Sequence, residues 1–136
     1  MDELKFAVIG NPVSHSLSPD IHLFFASQFQ LERYTYNKIK SNENDFERDI
    51  NDFFKNGGTG LNVTVPFKGL AYNLCDELDQ SAKLCKSVNT VLIDSGKLIG
   101  HSTDGQGLID DFSDKEITLE DSKILIIGAG GSAASI

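Results

Sequence analysis

A chain of 136 residues with 40% hydrophobic content can bury one core, enough for one domain or one domain and a piece of another. A formal net charge of −8, with no basic stripe, excludes a nucleic-acid surface, so an anionic ligand must rely on a few local donors. The opening "MDELKFAVIG" lacks the basic and apolar regions of a secretory signal, and no apolar run reaches membrane-spanning length, which points to a cytoplasmic protein without a membrane partner.

In chain order, "LKFAVIG" (4–10) predicts a buried strand ended by Gly10, followed by the loop "NPVSHSLSP". A helix is expected next, with Ser18 as N-cap, Pro19 at the first helical position and Asp20 in the first turn. Ile21, Phe24, Phe25 and Phe29 share one of its faces and are expected in the core. "YTYNKIK" (34–40) predicts a strand. "NDFERDINDFFKNGG" predicts an amphipathic helix with Phe46, Ile50, Phe53 and Phe54 inward and Gly57 or Gly58 ending it. "GLNVTV" (60–65) reads as a strand, Pro66 as the opening of a short helix, and "ELDQSAKLCK" as its helical continuation. "VNTVLID" and "KLIGHST" pair as a hairpin around Ser95 and Gly96. "GQGLIDDF" predicts a helix, "SDKEITLEDS" a polar connector, and "KILIIG" a last strand. The alternation indicates an α/β domain with a mostly parallel sheet over residues 1–102, a linking helix and connector over 103–122, and the start of a second domain over 123–136.

Four stretches carry chemistry. In "NVTVPFKG", a helix opening at Pro66 puts Lys68 in its first turn, where exposed N–H groups disfavour a cation by about 0.3–1 kcal/mol and would ready a lysine for proton exchange. Asn62 and Thr64 lie two apart on the strand before it and therefore face the same way, a costly polar pair unless something binds there. In "GNPVSHSLSP", the hydroxyls of Ser14 and Ser16 before a helix start suit a carboxylate, whereas His15 reads as merely exposed. Asp104 in "GHSTDGQG" fits either a helix cap or an acid that orients a base. Asn89 in "SVNTV" fits either a turn residue or a donor to a polyol. Finally "GAGGSA", with Gly128, Gly130 and Ala133 in a G-x-G-x-x-A pattern behind a strand-like run, points to a dinucleotide cofactor. Cys75 and Cys85 have no metal-type spacing, so no metal site is expected.

Taken together these stretches resemble the shikimate dehydrogenase family. Its G-x-P-x-x-H-S-x-S-P appears as "GNPVSHSLSP", its N-V-T-x-P-x-K as "NVTVPFK", its A-x-N-T as "SVNT", its N-T-D-G-x-G as "STDGQG", and its G-A-G-G-[AS]-x-x-A as "GAGGSAAS". The resemblance implies NADPH-dependent reduction of 3-dehydroshikimate to shikimate in aromatic amino-acid biosynthesis. It implies that Ser14 and Ser16 hold the substrate carboxylate and that Thr64, Asn89 and Asp104 contact ring hydroxyls, with Asn62 supporting the pocket. Lys68 and Asp104 would be the catalytic pair, and Gly128, Ala129, Gly130, Gly131, Ser132 and Ala133 the NADP-binding turn. The implied fold is a three-layer α/β/α substrate domain with a mostly parallel mixed sheet, followed by the first strand and turn of an incomplete Rossmann domain.

Three positions depart from the family pattern: Ser102 and Leu23 where Asn is usual, and Ser87 in place of a small Ala. Family members also continue through a complete cofactor domain, so the expectation is a truncated form that does not turn over alone and a segment 123–136 that is poorly ordered, swapped or paired with another chain. A homodimer is compatible with this. Two other readings remain: a quinate/shikimate dehydrogenase using NAD, and a binding-only domain for a hydroxylated cyclic acid.

Overall fold

The computed structural model describes residues 3–136. Strand β1 (Leu4–Gly10) lies between β2 (Tyr34–Lys40) and β3 (Gly60–Val63), parallel to both. Beyond β3, β5 (Thr90–Asp94) runs antiparallel, β6 (Lys97–His101) returns antiparallel to it, and the short β4 (Glu77–Leu78) closes the edge parallel to β6. The result is one six-stranded mixed sheet in the order β2-β1-β3-β5-β6-β4. The β5–β6 hairpin turns through Ser95 and Gly96, both at positive φ (51° and 80°), as the twist of a tight hairpin requires.

Alternation along the strands sends side chains to two cores and so makes three layers. Ala7 and Ile9 of β1 and Leu61 and Val63 of β3 meet α2 (Phe46–Lys55), α3 (Lys68–Leu74) and α4 (Gln80–Cys85) through Phe46, Ile50, Phe54, Ala71 and Ala82. Phe67 fills the centre, its ring 4.9 Å from that of Phe46. On the opposite face Val8, Val13 and Tyr36 form a smaller cluster beneath α1 (Ser18–Gln28), with Phe6 and Tyr34 packed against it. Helix α5 (Asp104–Asp114) and the short α6 (Gly131–Ala134) follow the sheet. No helix among the described residues is long and apolar enough to cross a membrane.

Several expectations are corrected. Ser18 is the first helical residue of α1 and not its cap; its N–H is received by the hydroxyl of Ser16, at 3.2 Å. The apolar face of α1 is not core: Ile21, Phe24, Phe25 and Phe29 are exposed, and Ala26 is the buried residue of the helix. The helix carries apolar side chains on several sides, and the sheet can cover one. The third helix opens at Lys68, because residues 65–67 are spent on a turn through Pro66. The segment from Glu77 is not continuously helical. Glu77–Leu78 pairs with β6, and Asp79 then caps α4 by accepting the Ala82 N–H at 2.7 Å. Strand β3 stops at Val63, two residues early. Residues 124–127 form no strand: Ile124, Leu125, Ile126 and Ile127 are exposed, and no described strand pairs with them. Residues 131–135, by contrast, pack against Lys68, Ser87, Ser102 and Gly105.

Two predictions follow from packing and capping. Phe67→Ala should cost about 3–5 kcal/mol in urea unfolding, whereas Phe24→Ala, at a side chain 59% exposed, should cost well under that, on the order of 0.5 kcal/mol. Burial alone would raise the Asp79 carboxyl, but the Ala82 N–H, the Ser81 hydroxyl and His101 outweigh it and hold the group below its ordinary value. A lowered carboxylate stabilises the fold above its unfolded value and loses that contribution as pH falls through the folded one. Asp79→Ala should therefore cost about 1 kcal/mol at pH 7, with the gap from the unsubstituted chain closing as melting is followed below about pH 4.

Candidate active site

The candidate residues gather at the C-terminal ends of β1, β3 and β6, where the antiparallel β5 begins. Such a change of strand direction opens a crevice in an α/β sheet. Val8, Asn62 and Thr90 lie in register across β1, β3 and β5, which puts Asn62 and Thr90 on the face covered by α1. The sequence builds this by placing Asn62 between the inward Leu61 and Val63, so that its amide must point to the other side.

Lys68 is the first residue of α3, and its side chain is only 11% exposed. Its ammonium pairs with Asp104, the first residue of α5. Asp104 supplies the counter-charge that the positive start of α3 withholds, and it sits at a helix start of its own, where a carboxylate is favoured. The second oxygen of Asp104 accepts from the Asn89 amide nitrogen at 2.7 Å. The Asn89 carbonyl oxygen accepts the Thr103 N–H at 3.0 Å, so one asparagine clamps both the acid and the turn that carries it. Asn62 joins through its amide nitrogen, 3.3 Å from the Asn89 backbone oxygen and 3.2 Å from the Thr90 hydroxyl. The Lys68 side chain is thus held in an arrangement suited to passing a proton to an oxygen in the crevice.

Not every candidate joins this group. Ser14 is exposed and Ser16 half-buried in the loop ahead of α1, and no hydrogen bond among the described residues links either to Lys68 or Asp104. That loop is tied down by its backbone: the Asn11 N–H meets the Val65 oxygen at 2.9 Å, and the Lys38 ammonium meets the Ser14 oxygen at 2.7 Å. Thr64 follows β3 with its N–H bonded to Ile9 and its methyl against Gly10. His15 is exposed. Of the glycine turn, Ser132 reaches the centre, its hydroxyl 3.0 Å from the Lys68 ammonium. Gly131 lies so near Lys68 and Ser87 that a Cβ there would stand 2.6 Å from the Ser87 hydroxyl, and one on Gly105 would collide with the Ser135 backbone. Open space flanks Gly130, which suits a turn that receives a phosphate group, so these residues fit the phosphate end of a dinucleotide.

Sequence reasoning missed three contributors. Tyr36 donates to the Asn62 oxygen at 2.7 Å, Thr90 bridges Asn62 and Asn89, and Lys38 braces the serine loop. Tyr36 and Lys38 are strand residues with no motif around them, and Thr90 closes "SVNT" without being singled out there; the available signal was a polar group on the face that Asn62 also uses. Cys75 and Cys85 are free thiols away from this group, burial pushing Cys75 up to about 11.

Comparison with known proteins identifies the family and the fold. Residues 8–91 match the family described as the shikimate dehydrogenase substrate binding domain. A shikimate dehydrogenase (NADP(+)) of Acinetobacter baylyi is 44% identical over 132 residues, spanning 97% of this chain and 50% of its own length. That of Legionella pneumophila is 48% identical over 132 residues, with 97% and 49% covered. Among solved structures, Thermus thermophilus shikimate 5-dehydrogenase in complex with shikimate superposes with a TM-score of 0.90 at 32% identity, over 98% of this chain and 50% of that one. A shikimate dehydrogenase in complex with NADP+ gives 0.91 at 34% identity, over 98% and 46%. The chain spans about half the length of the curated relatives it matches. With the match covering most of the chain, the protein belongs to the shikimate dehydrogenase substrate-binding domain family.

Proposed function

We propose that the protein serves the NADPH-dependent, reversible reduction of 3-dehydroshikimate to shikimate, a step of aromatic amino-acid biosynthesis. The observation that carries this reading is the Lys68–Asp104 ion pair, withdrawn from solvent and clamped by Asn89 in the crevice at the strand ends. Ser14 and Ser16 take the substrate carboxylate, Thr64, Asn89 and Asp104 face ring hydroxyls, and Asn62 supports the pocket. In the reductive direction Lys68 gives its proton to the carbonyl oxygen as that oxygen gains charge, and Asp104 keeps the ammonium aimed at it. NADPH supplies the hydride when bound, and the turn Gly128–Ala133 holds its phosphate end; the NADP(+) in the relatives' names supports NADP over NAD. The domain division proposed is a substrate domain over 1–102, a link over 103–122 and the opening of a cofactor domain from 123. Because residues 124–127 have no partner strand, the chain alone is proposed to bind substrate and not to turn over.

Isothermal titration of the chain with shikimate should give one site per chain, and Ser16→Ala should weaken it about 10- to 100-fold, as expected for one lost hydrogen bond to a charged group. No heat with shikimate, together with no assayable NADP reduction in any form, would remove the proposal. For the chemical step, the chain joined to the C-terminal half of the Acinetobacter baylyi relative gives the assay. There Lys68→Ala should lower kcat by about 10²–10⁴ while KM changes only a few-fold, and an unchanged kcat would take Lys68 out of the mechanism.

A further inference from the structure

Tyr36 stands in β2, outside every motif that marks the site, and is buried at 5% exposure. Its ring stacks on His22 of α1, centroids 4.4 Å apart and planes within 18°. A phenylalanine could make that stack. The hydroxyl does something else: it donates to the Asn62 Oδ1 at 2.7 Å. Asn62 is an amide with two unlike ends, and its nitrogen is spent on the Asn89 backbone oxygen and the Thr90 hydroxyl. The Asn89 carbonyl only accepts and so decides which end of the amide is the nitrogen; the phenol then holds the oxygen end, fixing the amide from its far side. The phenol can serve only while protonated. Burial, with the charge of Tyr34 adding to it and the Ser18 hydroxyl opposing it, pushes it up to about 12, so it donates across the working range of pH.

From Tyr36 the bonds run without a break through Asn62, Thr90 and Asn89 to Asp104, and from there to Lys68. The other neighbour of the phenol, Ser18, hydrogen-bonds Ser16 at 3.1 Å in the loop assigned to the carboxylate. We infer that Tyr36 is a positioning residue of this site: its hydroxyl sets the orientation of the Asn62 amide and thereby the side of the crevice that meets the ring hydroxyls. This rests on the substrate reading above.

The test uses Tyr36→Phe in the whole 136-residue chain, which removes one oxygen and keeps the stack. Without ligand, the Asn62 side-chain NH₂ signals, assigned by their loss in Asn62→Ala, should shift and exchange with water at least about 10-fold faster in Tyr36→Phe, the change expected when a bond worth about 1.4 kcal/mol is lost. Unmoved Asn62 signals in a folded Tyr36→Phe chain would overturn the inference. With shikimate, Tyr36→Phe should weaken binding about 3- to 10-fold, and the same substitution in an Asn62→Ala background should add nothing. An equal loss in both backgrounds means the tyrosine acts by another route, and the inference falls. If the unsubstituted chain does not bind shikimate, that result counts against the substrate reading alone, and the Asn62 signals still decide what Tyr36 does. Should Tyr36→Phe not fold, the unsubstituted chain supplies the answer: a slowly exchanging Tyr36 hydroxyl proton with a nuclear Overhauser contact to the Asn62 side chain is expected, and its absence is disproof.

Discussion

Lys68 is caught between two unfavourable surroundings: a side chain largely withdrawn from water, and the positive start of α3. An ammonium group so placed persists only with a counterion and further polar contacts, because desolvation of an unpaired charge costs several kcal/mol. Asp104 meets that demand from another helix start, 36 residues along the chain. The ion pair therefore constrains more than two side chains. It requires α3 and α5 to begin at the same place, and so fixes where β3 and β6 must end.

The carboxylate cannot hold this position alone. Asn89 takes its second oxygen and also the N–H of Thr103, tying the start of α5 to the entrance of β5. Asn62 and Thr90, opposite each other on antiparallel strands, connect that clamp to the interior of the sheet. Asn62, Asn89, Thr90 and Asp104 are each half-buried, so each unsatisfied group among them would carry a desolvation penalty, and the most stable arrangement is the one in which all are paired. Orientation of Lys68 is thus tied to the sheet: β2 and β5 are joined to Asp104 through the same bonds.

Much of this was legible in the chain. Both β1 and β2 begin and end where the sequence reading puts them: β1 is paired on both sides, and β2 at the edge runs parallel to it along its whole length. Lys68, Asn89 and Asp104 were picked out by their motifs, and the structure brings them together; what the motifs could not say is that the amide faces both the acid and Thr103. Tyr36 was illegible because an aromatic residue on a strand looks the same whether its hydroxyl is idle or bonded. The start of α4 failed for a nearer reason: Asp79 as a cap requires its neighbours to leave the helix, and Leu78 instead pairs with Gly100. The phenylalanines of α1 and the isoleucines of 124–127 show the same gap from another side. Hydrophobicity states that a surface prefers cover, while exposure depends on what stands beside it.

The glycine turn gains a second meaning from its place in the fold. Gly105 lets the Ser135 backbone come closer than any side chain would permit, and Gly131 does the same beside Ser87 and Lys68. Two glycines on two segments thereby press α6 onto the end of the sheet, with Ser132 against the lysine and Ser135 within 3.3 Å of the Ser102 hydroxyl. Ser87, where the family pattern has Ala, places a buried hydroxyl at this very contact, with no hydrogen-bond partner among the described residues. The same Nζ that faces Asp104 also meets the glycine turn, through Ser132. Asp104 and Ser132 thus meet on one atom, which makes the position of Ser132 inseparable from the geometry of the ion pair.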